Sequence, residues 1–146
     1  MVKNKQQQYA QLSQQVKAIV AEEQDIIANM ANISAILYWA LDNINWVGFY
    51  LVKEQQLVLG PFQGPVACTR IPFGRGVCGD AWKEKKVICV DDVHSYAGHI
   101  ACSSRTESEI VIPLLKNNVV VAVLDIDSEQ SSYFKSSDIQ GLKSIC

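Results

Sequence analysis

Apolar side chains recur at helical spacing through the first forty residues of the chain. Between residues 9 and 20 they fall on one face of a helix, and Gln and Lys fill the rest, which predicts an amphipathic helix. After Asp25, a candidate N-cap, a denser apolar run reaches Leu41 and predicts a second, more fully buried helix that ends before Asn43. Two helices are therefore expected before the first strand.

From Trp46 onward the apolar spacing changes to the alternation of β-strands. Trp46 and Tyr50 fall on one side of the first strand, and Val47 and Phe49 fall on the other. The apolar runs predict six strands, at residues 46–52, 57–59, 67–71, 87–90, 110–115 and 119–127. A polar turn at residues 116–118 makes the last two strands a hairpin.

The remaining segments complete the expected architecture. Residues 72–79 form a glycine-rich loop that leads into a short helix, and residues 91–107 are polar and irregular. Ser136-Ser137 with Gln140 predicts the N-cap of a final helix. This order predicts a single α/β domain over residues 1–146, with a mostly antiparallel central sheet. The N- and C-terminal helices are expected on one face, and a ligand pocket beneath irregular segments on the other.

Charge and hydropathy exclude several classes of partner. The chain carries 13 Lys and Arg against 15 Asp and Glu, so it lacks the basic field that nucleic-acid binding requires. The polar, Gln-rich residues 1–15 do not resemble a secretory signal, and no run of about 18 apolar residues follows. These features predict a cytoplasmic protein that binds neither nucleic acid nor membrane.

Five cysteines in a cytoplasmic protein favour redox or metal chemistry over a disulfide framework. No two cysteines lie two to four residues apart, and His94 and His99 form no paired-ligand motif beyond the isolated pair of His99 with Cys102. The spacing therefore predicts no metal site.

Gly74, Gly76 and Gly79 form a lone GxGxxG pattern, which follows a Pro-Phe turn and is weak support for nucleotide binding.

Three of the cysteines, Cys68, Cys78 and Cys102, lie among Gly, Pro, Ser, Arg or Thr in loop-like stretches where a thiol can meet solvent. Three such thiols permit a cycle in which one is oxidised and a second closes a disulfide. His99 and Arg105 lie close in sequence to Cys102 and would favour a thiolate there. The simpler interpretation is an ordinary exposed thiol. Cys89, within a short apolar strand, is most simply a small core residue.

Acidic residues are expected to converge at the end of the last hairpin. Asp125 and Asp127 point to the same side of their strand, and the turn brings Glu109 near them. Crowded carboxyls raise one another's pKa, so one of them would hold a proton at neutral pH and act as an acid. A solvated strand end is the alternative. Trp46 is either a core aromatic or a flat apolar wall for a methyl or thioether group.

Five motifs together resemble the free methionine-R-sulfoxide reductases, which are GAF-domain enzymes. The resemblance runs from about Asn45 to Cys146 and includes the three cysteines above. The motifs are Asn45-Trp46-Val47-Gly48-Phe49-Tyr50, Gly60-Pro61-Phe62-Gln63-Gly64, Gly76-Val77-Cys78-Gly79, Val90-Asp91-Asp92-Val93-His94 and Leu124-Asp125-Ile126-Asp127-Ser128.

The resemblance implies thioredoxin-dependent reduction of free methionine-R-sulfoxide by a cytoplasmic homodimer without a bound cofactor. It implies that Cys102 is the nucleophile and that Cys68 forms the disulfide with it. Cys78 matches a third family cysteine, which has also been proposed as the attacking thiol. Two rival hypotheses are a GAF-type domain that binds a small ligand without turnover and a thiol redox sensor. The resemblance further assigns four residues to the substrate, with Trp46 beside its methyl group and Glu109, Asp125 and Asp127 around its sulfoxide oxygen and ammonium.

Overall fold

The computed structural model describes residues 4–99 and 105–146. Helices and strands follow one another along these residues nearly as the apolar pattern predicts. The elements are α1 Lys5–Glu22, α2 Ile26–Ala40, β1 Ile44–Lys53, β2 Gln56–Gln63, β3 Arg70–Pro72, α3 Gly76–Glu84, β4 Ile88–Val90, a 3₁₀ turn Val93–Ser95, β5 Ser108–Lys116, β6 Val119–Ser128 and α4 Ser136–Ile145.

The six strands form one sheet in the order β3-β2-β1-β6-β5-β4, and every neighbouring pair is antiparallel. The mostly antiparallel sheet predicted from sequence is confirmed. The β5–β6 turn places Asn117 and Asn118 at φ 53° and 64°, the left-handed conformation that two-residue hairpins need and that Asn tolerates. The turn and a one-residue shift in the pairing between Leu114 and Leu115 together set a register in which Glu109 lies opposite Asp127.

The sheet separates two apolar clusters. The helices α1, α2 and α4 cover one face, where Leu37 and Leu142 are fully buried against Phe49, Leu124 and Ile126. On the other face α3 and the connecting segments cover Trp46, Tyr50, Val111 and Val123. The alternation predicted for β1 is confirmed, since Val47 and Phe49 belong to the first cluster and Trp46 and Tyr50 to the second.

The prediction that α2 is more fully buried than α1 is confirmed, but α2 is not buried on all sides. Ile26, Ile27 and Trp39 are 54%, 48% and 83% exposed, whereas Met30 and Leu37 are buried. Only one side of the helix packs on the sheet, and the apolar run extends around the others. The remaining apolar side chains of α2 form an exposed surface.

The second strand continues past its expected end at Gly60-Pro61. Gly48 pairs with Phe62 and Tyr50 with Leu59, so the ladder contains a bulge that admits the Gly-Pro pair. Proline is tolerated at a bulge because no ladder hydrogen bond requires its missing N–H. The third strand is likewise displaced from the expected residues 67–71 to Arg70–Pro72.

The final helix begins one residue earlier than its serines predict. Its N-cap is Lys135, whose backbone N–H donates to the Asp138 carboxylate at 2.8 Å, so Asp138 caps the helix in place of the predicted Ser136 and Gln140. The same carboxylate accepts from Tyr9 Oη at 2.8 Å and from Lys5 Nζ at 2.9 Å. Asp138 therefore fastens α1 to α4. Within the described residues, no helix combines the length and apolarity needed to cross a bilayer.

Candidate functional site

A cavity of about 50 Å³ lies on the sheet face opposite the three long helices. Its wall combines aromatic rings from β1, the first turn of α3 and acidic side chains from β5 and β6. Among its lining residues are Trp46, Tyr50, Cys78, Glu109, Asp125 and Asp127. Four substrate-binding candidates and one of the three candidate cysteines are therefore brought together.

The convergence of the three acids is confirmed. Glu109 lies opposite Asp127 in the β5–β6 register, and Asp125 lies two residues before Asp127 on the same side of β6. Glu109 and Asp125 are only 7% and 6% exposed. A solvated strand end, the alternative, is therefore wrong for these two residues.

Burial and mutual repulsion change the acid–base chemistry of this cluster. Burial is the main cause that raises the pKa of Asp125 well above its usual range, and the charges of Asp127 and Glu109 raise it further. Burial also raises the pKa of Asp127, again with a contribution from Glu109. A proton bound to any of these carboxyls relieves the repulsion between them. The cluster is suited to deliver that proton to a ligand oxygen.

The prediction that Cys78 lies in a loop is wrong. Cys78 lies in the first turn of α3, where it is 4% exposed. It is a free thiol whose Sγ lies within 4.8 Å of a carboxylate oxygen of Asp125. Burial raises the pKa of the Cys78 thiol, and Asp125, Glu109 and Asp127 raise it further. A helix N-terminus favours thiolates, but here desolvation and three acids outweigh it. Cys78 is therefore held as a protonated thiol.

The aromatic wall is built on β1. Trp46 stacks on Phe62 at a centroid distance of 5.3 Å and on Tyr50 at 5.9 Å. The indole Nε1 donates to the carbonyl of Pro65 at 3.0 Å. Gly48 makes room for this arrangement, because a Cβ there would lie 2.5 Å from the Trp46 ring. Trp46 is thus both a core aromatic and part of the cavity wall.

Tyr50 was not among the candidates from sequence, although it alternates with Trp46 on the same face of β1. Its hydroxyl donates to the carbonyl of Cys68 at 2.9 Å. Burial, followed by the nearby charge of Asp125, raises the pKa of Tyr50 far above its usual value. The neutral phenol therefore connects the aromatic wall to the segment that carries Cys68.

Basic groups stand at the margin of the cavity. His99 Nε2 lies 3.8 Å from Glu109 Oε1, and the imidazole is largely buried. Arg75 is the exposed N-cap of α3, and its own side chain makes no capping hydrogen bond to the first turn of this helix, which borders the cavity. Backbone N–H groups at such a terminus attract anions.

The GxGxxG pattern has a structural explanation. Gly74 and Gly76 have φ values of 72° and 67°, which only glycine adopts readily. At Gly79 a Cβ would lie 2.9 Å from the Pro72 carbonyl. The three glycines therefore form the tight turn into α3, which accounts for the pattern without a phosphate.

Of the other two candidate cysteines, the structure describes Cys68 alone. Cys68 is half-buried between β2 and β3 and is disulfide-bonded, whereas Cys78, Cys89 and Cys146 are free thiols. Cys102 lies outside the described residues, so its predicted role as nucleophile stays a prediction. Cys89 is a half-buried residue of β4 beside the helix-face core, as its apolar surroundings predict.

Comparison with known proteins first identifies the class of protein to which this chain belongs. A family model described as GAF domain matches residues 28–146, and the fold described above is that of a GAF domain. Free methionine-R-sulfoxide reductase of Escherichia coli strain K12 is 49% identical over 97% of this chain and 86% of its own length. The chain belongs to the free methionine-R-sulfoxide reductase family, as its motifs predict.

Two further proteins are similar to this chain over most of its length. Protein YtsP of Bacillus subtilis strain 168 is 50% identical, over 92% of this chain and 84% of its own. The X-ray structure of free methionine-R-sulfoxide reductase from Neisseria meningitidis, in complex with its substrate, superposes with a TM-score of 0.95 at 46% identity. That match covers 99% of this chain and 87% of the Neisseria chain.

Proposed function

We propose that this chain reduces free methionine-R-sulfoxide to methionine in the cavity beneath α3. The observation that carries the proposal is the buried group of Glu109, Asp125 and Asp127, which faces Trp46 across a small cavity. A sulfoxide oxygen leaves only when it is protonated, and buried carboxyls with raised pKa values hold protons at neutral pH. Family membership supports the same reaction.

The chemistry begins with a cysteine thiolate, which we assign to Cys102. Its sulfur attacks the sulfoxide sulfur while a carboxyl protonates the oxygen. Oxygen transfer then leaves methionine and a sulfenic acid on Cys102. The thiol of Cys68 condenses with the sulfenic acid, which forms a disulfide and releases one water. The disulfide-bonded state of Cys68 supports its role as the second thiol.

Cys78 is poorly suited to the attacking step. An attacking thiol needs a lowered pKa, but burial and the surrounding acids raise the pKa of Cys78. Its position within 4.8 Å of carboxylate oxygens of Glu109 and Asp125 instead places it beside the proton donors. We therefore assign Cys78 to maintaining the acid cluster.

The two ends of the substrate meet different parts of the wall. Glu109 offers negative charge to the ammonium group, and Trp46 and Tyr50 offer apolar surface to the methyl group. The first turn of α3 and Arg75 suit the carboxylate. A peptide-bound methionine sulfoxide has neither terminal charge, which would leave these polar groups without partners.

The family resemblance also suggests the reductant, the cofactor requirement, the compartment and the oligomeric state. We infer that thioredoxin supplies two electrons and two protons to reopen the disulfide, and that no bound cofactor takes part. We further propose a cytoplasmic homodimer. The exposed apolar side chains Ile26, Ile27 and Trp39 of α2 support self-association, because large apolar surface is unfavourable in water. Light scattering during gel filtration would measure the oligomeric state directly.

A coupled thioredoxin assay tests the proposal with four substrates, the R and S sulfoxides supplied as free methionine and within a peptide. We expect turnover of the free R form alone. Equal rates with the peptide would contradict recognition of the free amino acid. A disulfide that forms without consumption of any sulfoxide would identify the chain as a redox sensor.

A further inference from the structure

A thiol and two carboxyls that are far apart in sequence meet on the cavity wall. Cys78 Sγ and one carboxylate oxygen each of Glu109 and Asp125 lie within 4.8 Å of one another, and all three residues are buried. A tetrahedral zinc ion, with sulfur at about 2.3 Å and oxygen at about 2.0 Å, holds its ligand atoms roughly 3.2–3.6 Å apart. Side-chain movements on the order of 1 Å would therefore complete such a geometry.

Two further observations point to a ligand in this position. Asp125 lines the cavity and is 6% exposed, and its Oδ1 atom is buried without a hydrogen-bond partner among the described residues. His99 also lines the cavity, and its Nε2 lies 3.8 Å from Glu109 Oε1. A movement of the imidazole toward Cys78 and Asp125 would make it a fourth ligand from a segment other than α3, β5 and β6.

The chemical nature of the ligand atoms determines which ion would bind. Thiolate and imidazole favour zinc-like cations over magnesium or calcium, which prefer oxygen ligands. A divalent cation would also offset the negative charge of these buried acidic groups, which bound protons otherwise offset. We propose that Cys78, Glu109 and Asp125, with His99 as fourth ligand, bind one zinc-like divalent cation in this cavity.

The bound ion would regulate the chain. It would occupy the carboxyls that otherwise protonate the sulfoxide oxygen, so it would block turnover reversibly. This consequence rests on the proposed function, whereas ion binding itself does not. Binding requires the thiol and the carboxyls to lose their protons, so the affinity should rise with pH.

Cobalt serves as a spectroscopic probe for the site. The full chain is kept oxidised, so that Cys68 remains in its disulfide, and Co²⁺ is added without sulfoxide or thioredoxin. We expect one ion per chain, a near-ultraviolet thiolate-to-cobalt band and the visible bands of tetrahedral cobalt, all of which Zn²⁺ removes. Cys78→Ser should abolish the near-ultraviolet band. Glu109→Gln should weaken binding by about tenfold or more.

The other free thiols provide matched controls. Cys89→Ser and Cys146→Ser should keep both the band and the wild-type affinity. The proposal fails if the wild type shows no saturable band, if the band survives in Cys78→Ser, or if Cys146→Ser removes it. Circular dichroism checks that each variant is folded.

Alkylation mapped by mass spectrometry gives a second measurement that needs no variant. Zn²⁺ should slow labelling of Cys78 and leave labelling of Cys89 unchanged, and equal labelling of Cys78 with and without Zn²⁺ would overturn the proposal. Because neither experiment involves turnover, its outcome is separate from that of the sulfoxide assay. A chain that binds metal but consumes no sulfoxide would contradict only the proposed function.

Discussion

Glu109 on β5 and Asp127 on β6 are directly opposite each other in the antiparallel register of the last hairpin. Their carboxyls face the same cavity from neighbouring strands, with Asp125 beside them. Three acids in so small a buried space cannot all be ionised, because like charges in contact repel and burial disfavours each charge. At neutral pH this hairpin therefore carries at least one proton ready for transfer.

Asp127→Asn should lower kcat for free methionine-R-sulfoxide by about 10²- to 10⁴-fold, the usual contribution of a positioned general acid. The amide keeps the shape of the side chain but cannot give up its proton to the oxygen. Steady-state kinetics with thioredoxin measure the effect. Glu84→Gln, on the exposed part of α3, is the control and should keep wild-type kinetics. Unchanged kcat in Asp127→Asn would remove Asp127 from the proton-transfer step.

Asp125→Asn should stabilise the folded chain at neutral and higher pH. The folded-state pKa of Asp125 lies well above the ordinary value of 3.8, so between these two values the folded chain holds more protons than the unfolded chain. The free energy of unfolding of the wild type therefore falls as pH rises through this window. Each pKa unit contributes about 1.4 kcal/mol, and the amide variant avoids this loss.

Urea unfolding of the oxidised chain between about pH 4 and pH 8 measures this effect, because it follows protonation through the window. The advantage of Asp125→Asn should shrink toward the acidic end of the range. Asp91→Asn changes an exposed acid and should follow the wild-type profile. A variant that is less stable than the wild type at pH 8 would show that Asp125 stabilises the fold as a charged group.

Gly141→Ala should destabilise the contact between α4 and α1. A Cβ at this position would lie 2.1 Å from Cγ of the Tyr9 ring, which is buried and held by its hydrogen bond to Asp138. The ring cannot move away without straining that bond, so we expect a loss of about 1–3 kcal/mol in urea unfolding. Gln140→Ala, the exposed neighbour on α4, should change stability by less than about 0.5 kcal/mol.

Cys102→Ser should abolish consumption of free methionine-R-sulfoxide, because a hydroxyl cannot replace the thiolate in the attack on sulfur. A single-turnover assay without thioredoxin measures methionine released per chain. Cys68→Ser separates the two roles, since it should still release about one methionine per chain but fail to cycle with thioredoxin. Sustained turnover in Cys102→Ser would assign the attack to another cysteine.

Local periodicity predicts most of the sheet and the acid cluster. Trp46 and Tyr50 alternate with Val47 and Phe49, and the structure places the two pairs in opposite clusters. The acids converge as expected because the polar turn pairs the two strands, although their final register also depends on a one-residue shift between Leu114 and Leu115. Both features depend on residues near one another in sequence.

The features that were predicted wrongly depend on packing between distant segments. Cys78 follows two glycines and looks exposed, yet α3 begins at Gly76 and lies against the sheet. The bulge that admits Pro61 arises in the pairing of β1 with β2, which the sequence of β2 alone does not contain. The contact between His99 and Glu109 was not predicted at all, because it joins a loop to β5 through tertiary packing.

All three acids come from one hairpin, whereas Cys68 lies outside it, in the irregular segment between β2 and β3. The backbone that spaces the carboxyls is therefore separate from the backbone that carries the Cys68 disulfide. Under the proposed function, proton transfer and disulfide exchange would fall to different parts of the fold. Opening the disulfide would then leave the spacing of the acids as it is.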